Sequence, residues 1–397
     1  MNVLHVATLN RPISKNLGYG PIETVVYNLD KGLHELGCRS IVACSGDSKV
    51  IGEHFPTIEH SFSEYCTDHT LVKQKLMRQH LVMSLQRAQR GDIDVMHLHD
   101  ADMMEYMFSG VCLSPIPIVM TLHVPADDHR GFTRWNDTLL PTSPAFFVPI
   151  SEFQQAQHQG IINGQNVIHH GVDVDEFPFT THPSTHDYLF SIGRITPDKG
   201  QDQAIDVARR SGSRLILAGN VQNKAKDREF FTSLQHSIDL VVDAGQPCAA
   251  GDYYEQVMKP ILDSDKQIIY IGEVDSHQKK LWYQHAQATL FPIQWGEPFG
   301  LVLIESMACG TPVIAFNKGS VSEILVHGKT GFIVDSLERM TEAVKALQLI
   351  DPRDCRQHVE DHFSIANMAS KYSDLYQQIV DERTICPKTS PSVTGPS

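Results

Sequence analysis

The stretch EPFGLVLIESMACGTP, residues 297–312, decides how the chain folds. Its middle, LVLIESMA, is an apolar run of helical length. Gly300 stands at its start and Gly310 and Pro312 at its end, the punctuation expected around a short helix. Directly before it, ATLFPI (288–293) reads as a buried strand, and directly after it so does PVIAF (312–316). Strand, helix and strand in that order make a parallel βαβ unit with a right-handed crossover. The pattern extends outward: YLFSIG (188–193), RLILAG (214–219), QIIYIG (267–272) and GFIV (331–334) are further strand candidates. Helical patterns separate most of them.

The first half repeats the scheme. VLHVATL (3–9) reads as a strand, NRPISKNLGYG as a loop, and residues 21–37 as a helix with Pro21 at its start and Gly37 at its stop. SIVAC (40–44), DVMHL (94–98), PIVMTL (117–122) and FFVPI (146–150) continue the strand series. At 397 residues the chain exceeds what one compact core organises. The polar, proline-bearing connector 173–187 marks the joint. The reading is α/β, two Rossmann-like doubly wound domains over 1–175 and 176–363. A last helix over 364–383 and a disordered tail over 384–397 complete it.

Composition narrows the function. A net charge of −14 argues against a general nucleic-acid binder. Eight scattered cysteines without a CxxC pair read as reduced thiols of a cytoplasmic protein. The N-terminus lacks a basic signal-peptide region, and no apolar run is long enough to span a membrane. Residues 71–91 carry Lys73, Lys75, Arg78, Arg87 and Arg90 and no acid, with Leu71, Leu76, Leu81, Val82 and Leu85 as a candidate apolar face. Two readings stay open for residues 71–90: peripheral contact with the inner face of a membrane, or a core-packed surface helix.

In doubly wound folds ligands sit beyond the carboxyl ends of the strands. A helix starting there at Gly300 offers amide N–H groups and partial positive charge to a phosphate. Glu297 before it and Glu305 inside it suit hydroxyls rather than anions, so a polyol at each end of a diphosphate, a nucleotide sugar, fits. The competing reading makes Glu297 a helix-start carboxylate and Glu305 a solvated one. In GRITPDKG (193–200), Arg194 and Lys199 flank a Pro-Asp turn at a strand end, where two cations can neutralise a diphosphate. GYGPIE (18–23) puts Gly18 and Gly20 in the first loop after a strand. Its Glu23 is not the third glycine of a dinucleotide fingerprint, so a loop closing over phosphate or sugar competes with a plain turn. His123 ends the strand of TLH (121–123), as a sugar or phosphate contact or as a structural histidine; His97, His99 and Asp100 end another. DVD (173–175) lies in the connector, and neither it nor the pairs His97/His99 and His169/His170 has the spacing of a metal site. The expectation is no metal and no cofactor.

Taken together, EPFGLVLIE, GRITPDKG, the GYGPIETVV loop, HHGVD, IGEVD and GSVSEILVHGKTGFIV resemble, in order, the landmarks of retaining glycosyltransferases of family 4, with the GT-B fold. The resemblance covers roughly residues 1–380. It implies two Rossmann-like domains facing across a cleft, the first binding the acceptor and the second the nucleotide-sugar donor, with the final helix crossing back to the first. It places the donor diphosphate on Arg194 and Lys199, the donor sugar on Glu297 and His123, and the ribose on Glu305. Val274 would lie at the base, Gly18 and Gly20 at phosphate or sugar, and the amides around Phe299, Gly300, Leu301 and Val302 at sugar or phosphate. The loop differs from the family's commoner paired glycines in being Gly-Tyr-Gly. The implied reaction is metal-independent hexosyl transfer from a UDP-type donor with retention, the departing phosphate oxygen assisting deprotonation of the acceptor. That acceptor is a small metabolite, a polysaccharide or a lipid-linked sugar. A sugar phosphorylase, a nucleotide-sugar epimerase and a non-catalytic nucleotide-sugar-binding subunit are the rival readings.

Overall fold

The computed structural model describes residues 1–62, 70–100, 114, 116–125, 145–159, 166–181, 187–246 and 251–385. The first half holds β1 (Asn2–Val6), β2 (Arg39–Ser45), β3 (Glu53–Ile58), β4 (Val95–Leu98), β5 (Ile118–Thr121) and β6 (Ala145–Val148). They form one parallel sheet in the order β3-β2-β1-β4-β5-β6. The second half holds β7 (Tyr188–Ile192), β8 (Arg214–Ala218), β9 (Leu240–Val241), β10 (Ile268–Tyr270), β11 (Ala288–Phe291), β12 (Val313–Phe316) and β13 (Gly331–Val334). Their parallel order is β13-β12-β11-β7-β8-β10-β9. Each sheet reverses its winding direction once, at β1/β4 and at β7/β11. A crevice opens where strand order reverses, so the chain just after these four strands is where a ligand belongs.

Two strands escape the sequence pattern. β3 (EHFPTI) is a partly exposed edge carrying Pro56, with a register shift opposite Cys44/Ser45; edges tolerate proline because one side needs no ladder bond. β9 is two residues long. The Thr70–Ala88 helix also corrects the expected apolar face. Leu71 is 81% and Val82 44% exposed, whereas Met77, His80, Leu81, Leu85 and Ala88 are buried. Arg87 is buried with them and forks onto Asp92, Nη1 to Oδ1 at 2.5 Å and Nη2 to Oδ2 at 2.9 Å. The helix therefore packs on its own sheet.

The Ile365–Ile385 helix lies against the Pro21–Glu35 helix of the first half. The two come close because Gly32 has no side chain; a Cβ there would sit 2.7 Å from that of Ala369. Tyr372 and Tyr376 are buried, their hydroxyls 2.6 Å from Thr121 Oγ1 and His97 Nδ1. The expected tail begins within this helix at 384 and from 386 lies outside the described residues. The chain passes between the halves twice, and the crossings are hydrogen-bonded: Val172 N–H donates to Phe363 O (2.8 Å) and Ile365 N–H to Val172 O (3.0 Å). Asp173 of the DVD stretch pairs with Lys31, and Glu176 with Lys15 at 2.7 Å. Glu323 accepts the amides of Glu152 and Phe153, each at 2.7 Å, across the domain junction.

The first sheet encloses several histidines. His5 and His80 are fully buried, and burial pushes both down to about 4. The unfolded chain takes up these protons near 6.5, the folded chain only near 4. Stability is thus complete above the unfolded value and drains away as pH falls from 6.5 towards 4. Melting at pH 5 should lie several degrees below that at pH 7.5, since each such histidine costs on the order of 2 kcal/mol over this interval. His80→Gln should flatten the thermal-melt pH profile; an unchanged profile would contradict the assignment.

Candidate active site

The loops after β7 and β11 are zipped together. Gln294 N–H donates to Asp198 O at 2.8 Å. Gly200 runs in the left-handed region at φ 72, and a Cβ there would stand 2.1 Å from Pro292 O. That close approach delivers Lys199, at the end of the short Pro197–Lys199 turn, to Glu297: Nζ to Oε2 is 2.6 Å. Both side chains are largely enclosed, and the ammonium lies 5.4 Å from the Trp295 ring centroid. An ammonium has three donors, so Glu297 does not exhaust it.

Gly300 is left-handed too, at φ 86, and ends the turn that opens the Leu301–Ala308 helix. Among the described residues no side chain caps this helix start, which leaves its partial positive charge to a ligand. Arg194 lines the same cleft; its Nε is buried with no hydrogen-bond partner among the described residues. A buried guanidinium N–H without an acceptor is costly unless a ligand supplies one.

The structure brings Arg194, Lys199, Glu297, Phe299, Gly300, Leu301, Val302 and His123 to one cleft of about 610 Å³ between the halves. Gly18, Gly20, Val274 and Glu305, with Leu301 and Val302 again, line an adjoining pocket of about 110 Å³. Phe299 is 2% exposed and places its ring edge-on to His170 at 5.0 Å, so its side chain is wall rather than tip. Glu305, 5% exposed, is not a solvated surface carboxylate. Lys279 Nζ is 2.5 Å from its Oε1, and Tyr283 donates to its Oε2 at 3.2 Å. Burial, then the Glu305 carboxylate, pushes the Tyr283 phenol well above its ordinary value, so it remains a donor. An ionised carboxylate holds about four lone-pair sites, enough to accept hydroxyls as well.

Several cleft residues were given no role by the sequence reading. Lys279 and Tyr283 lie one turn apart on the Ser276–His285 helix, and only the fold shows that this face meets Glu305. Tyr19 lines both pockets. The Gly18–Gly20 loop is pinned rather than loose: Tyr19 N–H donates to Glu273 Oε1 at 2.9 Å, across the cleft. A Cβ on Gly18 would stand 2.8 Å from that same oxygen. Glu273→Ala should release the loop and raise the donor KM about tenfold, the equivalent of one charged hydrogen bond, with kcat little changed; an unaltered KM would show that the latch is idle.

Outside the cleft, His5, His97 and His99 place ring nitrogens within 4.8 Å of one another, all buried. His97 already meets the hydroxyl of Tyr376 on Nδ1 (2.6 Å) and that of Thr121 on Nε2 (2.8 Å). The trio therefore reads as hydrogen-bonded and not as a set of ligands. Among the described residues no helix is long and apolar enough to cross a membrane.

Comparison with known proteins bears on the family and the fold. A model described as Glycosyltransferase Family 4 matches residues 20–176, and one described as Glycosyl transferases group 1 matches residues 173–358. A D-inositol 3-phosphate glycosyltransferase of Pseudarthrobacter chlorophenolicus is 22% identical over 371 residues, 84% of this chain and 82% of that protein. An N-acetyl-alpha-D-glucosaminyl L-malate synthase of Bacillus anthracis is 24% identical over 311 residues, 74% of this chain and 77% of that protein. Among solved structures, AviGT4, a glycosyltransferase involved in avilamycin A biosynthesis, aligns with a TM-score of 0.66 at 20% identity over 96% of this chain and 98% of that one. Anabaena HepE in complex with UDP-glucose aligns with a TM-score of 0.66 at 16% identity over 95% and 100%. The chain belongs to the family 4 glycosyltransferases and has the GT-B fold of two Rossmann-like domains.

Proposed function

We propose that the protein moves a hexosyl unit from a nucleotide-diphosphate sugar, a UDP-sugar in the first instance, to an acceptor hydroxyl with retention at the anomeric carbon and without a metal. The observation that carries this is the convergence of Arg194, Lys199 and the uncapped Leu301–Ala308 helix start on one cleft. Charge developing on a departing diphosphate meets fixed positive groups there, in a site partly closed to water, which is where such stabilisation is strongest. Arg194 and Lys199 take the phosphates, Glu297 and His123 the sugar hydroxyls, and Glu305 the ribose, held in place by Lys279 and Tyr283. Val274 borders the base. The acceptor enters beside His123, from the first half. The structural likeness to a protein holding UDP-glucose supports the choice of uridine. Glu297 is tied to Lys199, which favours a role on the sugar over attack at carbon, and hence a front-face route.

The test is incubation with UDP-, GDP- and ADP-sugars and a panel of polyol, sugar and lipid-linked acceptors, with and without EDTA. Expected are release of a nucleoside diphosphate, a product keeping the donor's anomeric configuration by NMR, and a rate indifferent to EDTA. Inversion, or dependence on added metal, would overturn the mechanism; failure to consume any donor would overturn the activity.

A further inference from the structure

Three histidines run in a line across neighbouring strands of the first sheet: His5 in β1, His99 just past β4 and His123 just past β5. His99 Nδ1 lies 3.1 Å from His123 Nε2, and His99 Nε2 lies 3.1 Å from His5 Nδ1. His5 Nε2 is buried with no partner among the described residues. His97 packs on the middle ring at 4.1 Å between centroids and holds it in place. Burial keeps His5 and His99 neutral at working pH.

A neutral imidazole has one N–H and one lone pair. His99 must therefore donate to one neighbour and accept from the other, and the line has only two arrangements. If protons point inwards, His5 is left with a buried Nε2–H that meets no acceptor. If they point outwards, His5 is left with a bare lone pair, and His99 donates from Nδ1 to His123 Nε2. Buried N–H groups without an acceptor are rarer than under-satisfied acceptors, so the outward arrangement wins.

We propose that His99 and His5 are positioning residues that fix the tautomer of His123, placing its proton on Nδ1 so that it serves the cleft as a hydrogen-bond donor. The use of that donor, towards a sugar oxygen of the bound substrate, rests on the function proposed above; the tautomer itself does not. A histidine locked this way would recognise an oxygen that accepts.

The experiment is a long-range 1H–15N correlation spectrum of the ligand-free full-length protein labelled in histidine, with the His123 signals assigned by their loss in His123→Gln. Expected is a protonated Nδ1 and an unprotonated Nε2 at His123. A proton on Nε2, a cationic ring, or metal-shifted signals from His5, His97 and His99 would overturn the proposal. In His99→Leu the two nitrogens of His123 should average towards a tautomer mixture, and the donor-sugar KM should rise about tenfold with affinity for free nucleoside diphosphate unchanged. His99→Gln, which can still donate and accept, should recover most of that loss; equal damage in both variants would also overturn it. If the wild-type tautomer is as expected and no sugar is transferred, the function fails and this inference stands.

Discussion

Lys199→Ala and Glu297→Ala are each expected to lower kcat by about 10²–10³-fold, the scale of losing one charge-stabilising group aimed at a transition state. The ammonium and carboxylate are 2.6 Å apart and mostly enclosed, so each holds the other's position. The double variant should lose no more than about tenfold beyond either single one, because groups acting as a unit are not additive. Lys199→Arg should not rescue, since a planar fork cannot replace a compact ammonium in the space beside Trp295. Steady-state kinetics with melting curves as a folding control decide it. Single variants with near-normal kcat would remove this pair from the chemistry.

The second large effect concerns Glu305. Glu305→Ala strands Lys279, whose side chain is 15% exposed, and the fully buried Tyr283 phenol. Breaking a buried pair by removing one partner costs about 3–5 kcal/mol. The variant should therefore melt well below wild type and bind nucleoside diphosphate more weakly. Replacing both partners, Glu305→Ala with Lys279→Met, should recover much of the melting temperature because no ammonium is left uncompensated. It should not recover affinity, because the hydroxyl acceptor is still absent. Calorimetry and thermal melts separate the two. Affinity returning together with stability would mean that Glu305 is structural only.

What could be read from the sequence, and what could not, follows from how local each signal is. β11, the Leu301–Ala308 helix and β12 announce themselves by apolar runs and by Gly300, Gly310 and Pro312, all within about 30 residues of one another. Arg194, Lys199, Glu297 and Glu305 were visible because strand ends and a helix start are where a doubly wound fold puts ligands. β3 was invisible because a polar edge strand with a proline has no buried face to advertise. Leu71 and Val82 were misplaced because charges on the Thr70–Ala88 helix blur its period, and only the packing shows that Met77 and Ala88 face inwards. Lys279, Tyr19 and Glu273 depend on contacts between elements remote in sequence, such as Tyr19 with Glu273, which no local pattern encodes. The line of His5, His99 and His123 is of the same kind: β1 supplies the first, and the chain just past β4 and β5 supplies the other two.

Donor binding depends above all on a grip on pyrophosphate by Arg194, Lys199 and the start of the Leu301–Ala308 helix. Isothermal titration calorimetry of UDP against uridine measures that grip, with GDP/guanosine and ADP/adenosine as parallel pairs. Wild type should bind the preferred diphosphate at least about a hundredfold more tightly than its nucleoside, as two charge-assisted contacts provide, and Arg194→Ala/Lys199→Ala should reduce that ratio to less than about tenfold. A ratio unchanged in the double variant would contradict it.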